Sequence, residues 1–170
     1  VQRFGRHLAS ERRLSVHTCS AYAQDLQALV QWCDQQQLTD WTTLDAQHLR
    51  VFAARSHAGG LSPRSVQRRL SAVRSFFRYL LREGVVTALP TADVRAPKAG
   101  RRLPQVLDTD QMARLLQLPA DTTLDARDLA MMELFYSSGL RLAELVGLDL
   151  SQLDLADRTV RVLGKGRKTR

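Results

Sequence analysis

Arg141 and Glu144 stand three residues apart, and Lys165 stands between Gly164 and Gly166. A planar guanidinium can engage two oxygens of one phosphoryl group at once. Arg141 is therefore suited to the charge that builds on non-bridging oxygens when a phosphodiester is displaced. Glu144 is within reach of the same helical face and can hold that guanidinium while staying outside the reaction. An ordinary ion pair between the two is the plainer reading. Lys165 sits in turn chemistry, where glycines let the backbone approach a partner closely, although an exposed turn lysine with no partner has the same signature. The other familiar reactive types are placed elsewhere. His7, His17, His48 and His57 all fall in the first 60 residues, and none has an arginine three positions later. Tyr22, Tyr79 and Tyr136 all precede Arg141 and recur on helical stripes, which predicts core positions rather than a nucleophile.

A second set of candidates is basic. At about 100° per residue, Arg64, Arg68, Arg74, Arg78 and Arg82 fall within an arc of about 120° on one helix, and no acidic residue lies between Arg55 and Arg82. Repulsion at that density, without a carboxylate at helical spacing, points to an anionic partner facing the helix. Arg69 projects instead into the apolar arc, either as a buried structural arginine or as one reaching along the core edge. Charge over the whole chain agrees, with 25 Lys and Arg against 17 Asp and Glu and a formal net charge of +8. Residues 1–100 hold 14 basic and 7 acidic side chains and residues 101–170 hold 11 and 10, so the excess is concentrated in the first part. A polyanion, nucleic acid first, fits better than an acidic small molecule, with a merely solvated basic face as the alternative. Cys19 and Cys33 have no CxxC or Cys/His spacing, which predicts reduced thiols, no structural metal and a cytoplasmic setting. No apolar run approaches the roughly 18 residues of a membrane span, and the start lacks a signal-peptide pattern.

The elements that must position these residues are mainly helical. Apolar spacing predicts a short helix over 1–10 and a longer one capped by Ser15, with Tyr22, Leu26, Leu29, Val30 and Cys33 as its buried stripe. Thr43 or Asp45 opens a third helix, carrying Leu49, Phe52 and Ala53 inward until Gly59-Gly60. Ser62-Pro63 gives the cap and first-turn proline of a fourth, whose core face is Val66, Leu70, Val73, Phe76, Phe77, Leu80 and Leu81. Proline, glycine and basic residues without periodicity mark a linker over 91–106. Beyond it, Asp108 or Thr109 caps a helix through Leu118, and another runs from about Leu124 to Ser138 before Gly139. Thr159 to Leu163 is β-prone, Gly164-Lys165-Gly166 is a turn, and Lys168-Thr169-Arg170 begins a return strand. A start without methionine and an end inside a predicted hairpin read as a piece of a longer chain.

The run Tyr136-Ser137-Ser138-Gly139-Leu140-Arg141-Leu142-Ala143-Glu144-Leu145-Val146-Gly147-Leu148 resembles the tyrosine-recombinase segment that holds the first catalytic arginine. Val160 to Lys168, with Gly164-Lys165-Gly166 at its turn, resembles the family's hairpin bearing the catalytic lysine. Leu14-Ser15-Val16-His17-Thr18 leading to Tyr22 and Asp25-Leu26, Arg69 to Phe77, and Ala96-Pro97-Lys98 before Leu103-Pro104 agree with it. The resemblance is to Xer-type recombinases and leans toward the XerC branch. It implies a helical SAM-like core-binding domain over 1–90, the linker, and a truncated α+β catalytic domain over 107–170. It also implies DNA strand exchange through a 3′-phosphotyrosyl intermediate without metal or nucleotide. The substrate would be a duplex with a dif-like site, and the setting a heterotetramer with a XerD-like partner that resolves chromosome dimers. Under it Arg141 and Lys165 are catalytic, Lys165 giving a proton to the leaving 5′ oxygen, and Glu144 is supporting. Thr18, Tyr22, Arg64, Arg68, Arg69, Arg74 and Lys98 contact DNA. The family's His-x-x-Arg element and nucleophilic tyrosine are expected after the hairpin, so these 170 residues are expected to bind DNA without cutting it. The rival expectations are a non-catalytic DNA-binding regulator and a helical module whose basic face meets an acidic protein.

Overall fold

Phe4, His7 and Leu8, spaced three and four residues apart, bury one face of α1 (Gln2–Ser10). The computed structural model describes residues 1–98, 100, 103–164 and 169, and the chain divides into two units, Val1–Arg102 and Leu103–Arg170. In the first unit α2 (Val16–Gln35) opens at Ser15, whose hydroxyl accepts the Thr18 N–H at 3.2 Å. A single 3-10 turn at Trp41–Thr43 follows, capped by Asp40. Asp45, not Thr43, then starts α3 (Ala46–Ala58), accepting the His48 N–H at 2.8 Å. Ser62 and Pro63 start α4 (Pro63–Arg82) as their types predict, and Glu83 caps its end.

These four helices share one core in which Phe4, Leu26, Leu29, Leu49, Val66, Leu70, Val73, Phe76 and Phe77 are buried. Removing a side chain of that size from water contributes about 1.5–3 kcal/mol, so α4, with seven buried residues, is the element on which the unit is built. Trp41 meets the Phe76 ring edge-on at 5.0 Å, which seats the 3-10 turn against α4. The predicted stripes need three corrections. Leu81 is 38% exposed, because it sits at the edge of the apolar arc on the last turn of α4. Tyr22 and Val30 are only half-buried, while Asp25 and Trp32 occupy the buried face of α2. Past α4 the described chain forms no helix or strand until Thr109, yet Val86, Thr91 and Val94 are buried and Ala96 packs on the same core.

The second unit begins with α5 (Thr109–Leu116), where Asp108 and Gln111 cap each other's backbone N–H groups at 2.7 and 3.0 Å. It ends two residues before the expected Leu118. α6 (Thr123–Ser138) is capped by Thr122 and stops at Gly139, whose φ of +59° is the left-handed end that glycine permits. A short α7 (Leu142–Val146) and a 3-10 turn (Leu150–Gln152) lead into β1 (Leu153–Asp154). This strand pairs antiparallel with β2 (Thr159–Val160) in the register Leu153 to Val160 and Asp154 to Thr159. β1 has no period-2 signal of its own, and so little of the predicted 159–163 strand is paired because its partner is two residues long. Leu163 and Thr169 form an isolated antiparallel bridge, whereas Lys168 and Arg170 lie outside the described residues. Leu140, Leu145 and Val162 are the buried centre of this unit, with Met131, Leu134, Phe135, Leu148 and Val160 packed around them. Tyr136, expected in a core, is 59% exposed because Phe135 turns inward at the adjacent position.

Candidate nucleic-acid interface and phosphoryl site

Gly139 ends α6 and Arg141 takes extended backbone angles (φ −80°, ψ 151°) immediately before α7, so the arginine stands at a helix start. The sequence places Arg141 and Glu144 on one helical face, whereas in the structure Arg141 precedes the helix and Glu144 reaches back to it. The Glu144 carboxylate accepts the Arg141 backbone N–H at 2.8 Å and its guanidinium Nη1 at 2.7 Å. A carboxylate in a first helical turn also meets the positive end of the helix dipole. Burial divides the pair unequally, with the Glu144 side chain 7% exposed and that of Arg141 62% exposed. The acid is the fixed member, and much of the guanidinium surface is turned to solvent, where it can meet an anion bidentately. Lys165 lies outside the described residues.

The basic stripe of α4 is not an uninterrupted open face. Asp25, 1% exposed on α2, receives the Arg68 guanidinium and, at 3.4 Å, Nε of Arg69. Arg69 also donates to Ser56 Oγ at 3.0 Å on α3 and lies over the Phe52 ring, so it joins three helices from a half-buried position at the core edge. Burial pushes the Asp25 carboxyl above its ordinary value, with the two guanidiniums pulling it back. Arg74 donates to the Val94 carbonyl at 2.5 Å, tying α4 to the segment after it. Arg82 meets Glu83 at 3.0 Å and Glu11 at 3.6 Å. Arg68 and Arg82 thus find carboxylates that the helix's own spacing does not offer, and their mutual repulsion is relieved without an outside anion. Arg64 is exposed with no ion pair among the described residues, and Arg68 keeps 46% of its side chain in solvent.

Thr18 is half-buried at the start of α2, with its hydroxyl 2.9 Å from that of Ser15. Tyr22 packs on the core from one turn further along, and Lys98 is exposed beyond the core-packed Ala96. Arg64, Arg68, Thr18 and Tyr22 thus belong to the first unit, as does Lys98, while Arg141 belongs to the second. Sequence reasoning missed Asp25 as the organising acid, although an aspartate beside Leu26 on an apolar stripe is the signal that finds it. No cluster of three His, Cys, Asp or Glu residues that could hold a metal occurs among the described residues. Burial pushes the Cys33 thiol up to about 11, which leaves it protonated and unreactive. No described helix is long and apolar enough to cross a membrane.

Residues 1–84 match the phage integrase N-terminal SAM-like domain, and residues 105–170 match the phage integrase family domain. The tyrosine recombinase XerC of Xanthomonas campestris pv. campestris (strain B100) is 51% identical over the whole chain, which covers 53% of that protein. The XerC of Pseudomonas syringae pv. tomato is 54% identical over 96% of the chain and 55% of its own length. The chain thus spans about half the length of the curated relatives it matches. Among solved structures, a lambda integrase tetramer bound to a Holliday junction superposes with a TM-score of 0.72 at 22% identity, over 99% of this chain and 48% of that one. XerH bound to a palindromic difH substrate gives 0.66 at 19% identity, over 94% and 49%. These structures share the fold. With both units matched by phage integrase domains and half of its residues identical to tyrosine recombinases along its length, the chain belongs to the phage integrase family of tyrosine recombinases.

Proposed function

We propose that this chain is the duplex-binding part, together with the first catalytic arginine, of a site-specific DNA recombinase that resolves chromosome dimers in the cytoplasm at cell division. The observation that carries this reading is identity of 51–54% with XerC relatives along nearly the whole chain. In the reaction, a tyrosine of the longer protein attacks phosphorus as the bond to the 5′ oxygen breaks, leaving a 3′-phosphotyrosyl bond and a 5′ hydroxyl. Arg141, held by Glu144, offers its solvent-facing N–H groups to the non-bridging oxygens as their charge develops. Lys165 gives the departing 5′ oxygen its proton. The phosphotyrosyl ester conserves the bond energy for rejoining, so the step requires neither a nucleotide nor a metal. Thr18, Tyr22, Arg64, Arg68, Arg69, Arg74 and Lys98 serve the duplex, with Arg64 and Arg68 as direct contacts. Arg69 and Arg74 act through the bonds that hold α4 in place. The partners are a dif-like duplex and a XerD-like recombinase, and the 170 residues alone bind without cutting.

Binding of a labelled dif-like duplex across a salt series tests the interface. Arg64→Ala is expected to lower affinity and reduce the slope of log K against log salt by about one, and an unchanged slope would remove α4 from the interface. In a recombinase of the relatives' full length, Arg141→Ala is expected to abolish covalent capture of a nicked duplex. Undiminished capture would overturn the assignment of Arg141.

A further inference from the structure

A cavity of about 260 Å³ opens between α1 and α4 at the far end of α4 from Arg64, with His7, Arg12, Ser75, Arg78, Tyr79 and Arg82 as its polar wall, the His7 ring lying 3.4 Å from Arg82 and 2.8 Å from the Glu11 carboxylate. Ser75, Arg78 and Arg82 recur at spacings of three and four, so they project from one face of α4. Arg12 comes from the turn after α1, which is closed by its own N–H donating to the His7 carbonyl at 3.0 Å. Arg82 is fixed by Glu11, Glu83 and the Tyr79 ring beneath it. Arg12 and Arg78 are exposed and have no carboxylate within 4.0 Å among the described residues. Two uncompensated guanidiniums on one concave wall repel each other, and an anion seated between them removes that repulsion.

We propose that this cavity is a phosphoryl-binding site, with Arg12 and Arg78 supplying charge, Arg82 a fixed donor and Ser75 a hydroxyl donor. It stands apart from the duplex contacts of Arg64 and Arg68 and does not need them. Its ligand is a phosphate ester, either in a nucleic-acid backbone or free in solution.

The test is titration of the whole chain with inorganic phosphate, followed through the arginine side-chain Nε–Hε resonances. One saturable transition shared by Arg12, Arg78 and Arg82 is expected. Arg12→Gln with Arg78→Gln is expected to weaken it at least about tenfold, as loss of two charge-assisted bonds implies. Arg50→Gln with Arg55→Gln, which removes two exposed charges from α3, is expected to leave it within about twofold. Non-saturating shifts, or equal weakening by the two double variants, would overturn the site, because attraction would then follow net charge alone. Adding duplex to the phosphate-loaded protein separates the two sources. Displacement of phosphate identifies a backbone phosphate as the ligand, and simultaneous binding identifies a free ester. Duplex affinity that survives the Arg12 and Arg78 substitutions leaves the Arg64 interface intact, so the two readings fail independently.

Discussion

At the scale of single residues, two acids with shielded side chains, Glu144 and Asp25, play contrasting roles. Glu144 fixes an exposed arginine, and its removal exposes what that fixing does. Glu144→Gln is expected to cost about 1–2 kcal/mol, since a charge-assisted bond and a helix-start contact are lost together. It should also raise the mobility of the Arg141 guanidinium, read from its side-chain relaxation, while an equally rigid Arg141 would show that Glu144 does not position it. Asp25 is the other case. Burial raises its folded-state value above the ordinary 3.8, so in the window just above 3.8 the folded state holds a proton that the unfolded chain has released. The stability contributed by this group therefore declines as pH rises through that window. Denaturant titrations at several pH values should show that decline in the parent and its absence in Asp25→Asn. A parent profile as flat as that of the variant would refute the burial argument.

At the scale of elements, α4 is at once the core helix and the basic helix. Its inward face carries Val66, Leu70, Val73, Phe76 and Phe77, and its arginines divide by what other segments offer them. The division predicts opposite outcomes for residues that share one helix. Arg69→Ala leaves the buried Asp25 with fewer counter-charges and Ser56 without its donor, and is expected to destabilise the first unit by about 3 kcal/mol. Arg64→Ala removes an exposed side chain and is expected to stay within about 0.5 kcal/mol. Chemical denaturation of the two variants checks both, and similar losses would mean that Asp25 does not organise the helix.

At the scale of the whole molecule, the two units differ in how much they bury. The first encloses a core running from Phe4 to Val94, whereas the buried centre of the second is Leu140, Leu145 and Val162. The end of the first unit follows from its core rather than from its last helix. A fragment ending at Ala96 is expected to unfold cooperatively with the helical content of residues 1–96. One ending at Glu83 loses Val86 and Val94 from the core and is expected to be less stable by about 2–5 kcal/mol. Equal midpoints by circular dichroism would show that the segment after α4 does not contribute.

The sequence by itself determined the helices, their caps and the family. Ser15, Ser62-Pro63, Asp108 and Gly139 act through bonds and backbone angles within a few residues of themselves, and the Arg141 and Lys165 motifs are contiguous runs. Only the tertiary structure decided which arginines of α4 are tied and which face solvent. Asp25 lies 43 residues from Arg68, and Val94 lies 20 from Arg74, so no helical spacing reports either bond. β1 was illegible for a related reason, because two residues carry no alternation and become a strand only by pairing with β2. Local geometry is written in neighbouring residues, whereas the compensation of charge depends on which distant segments the shared core brings together.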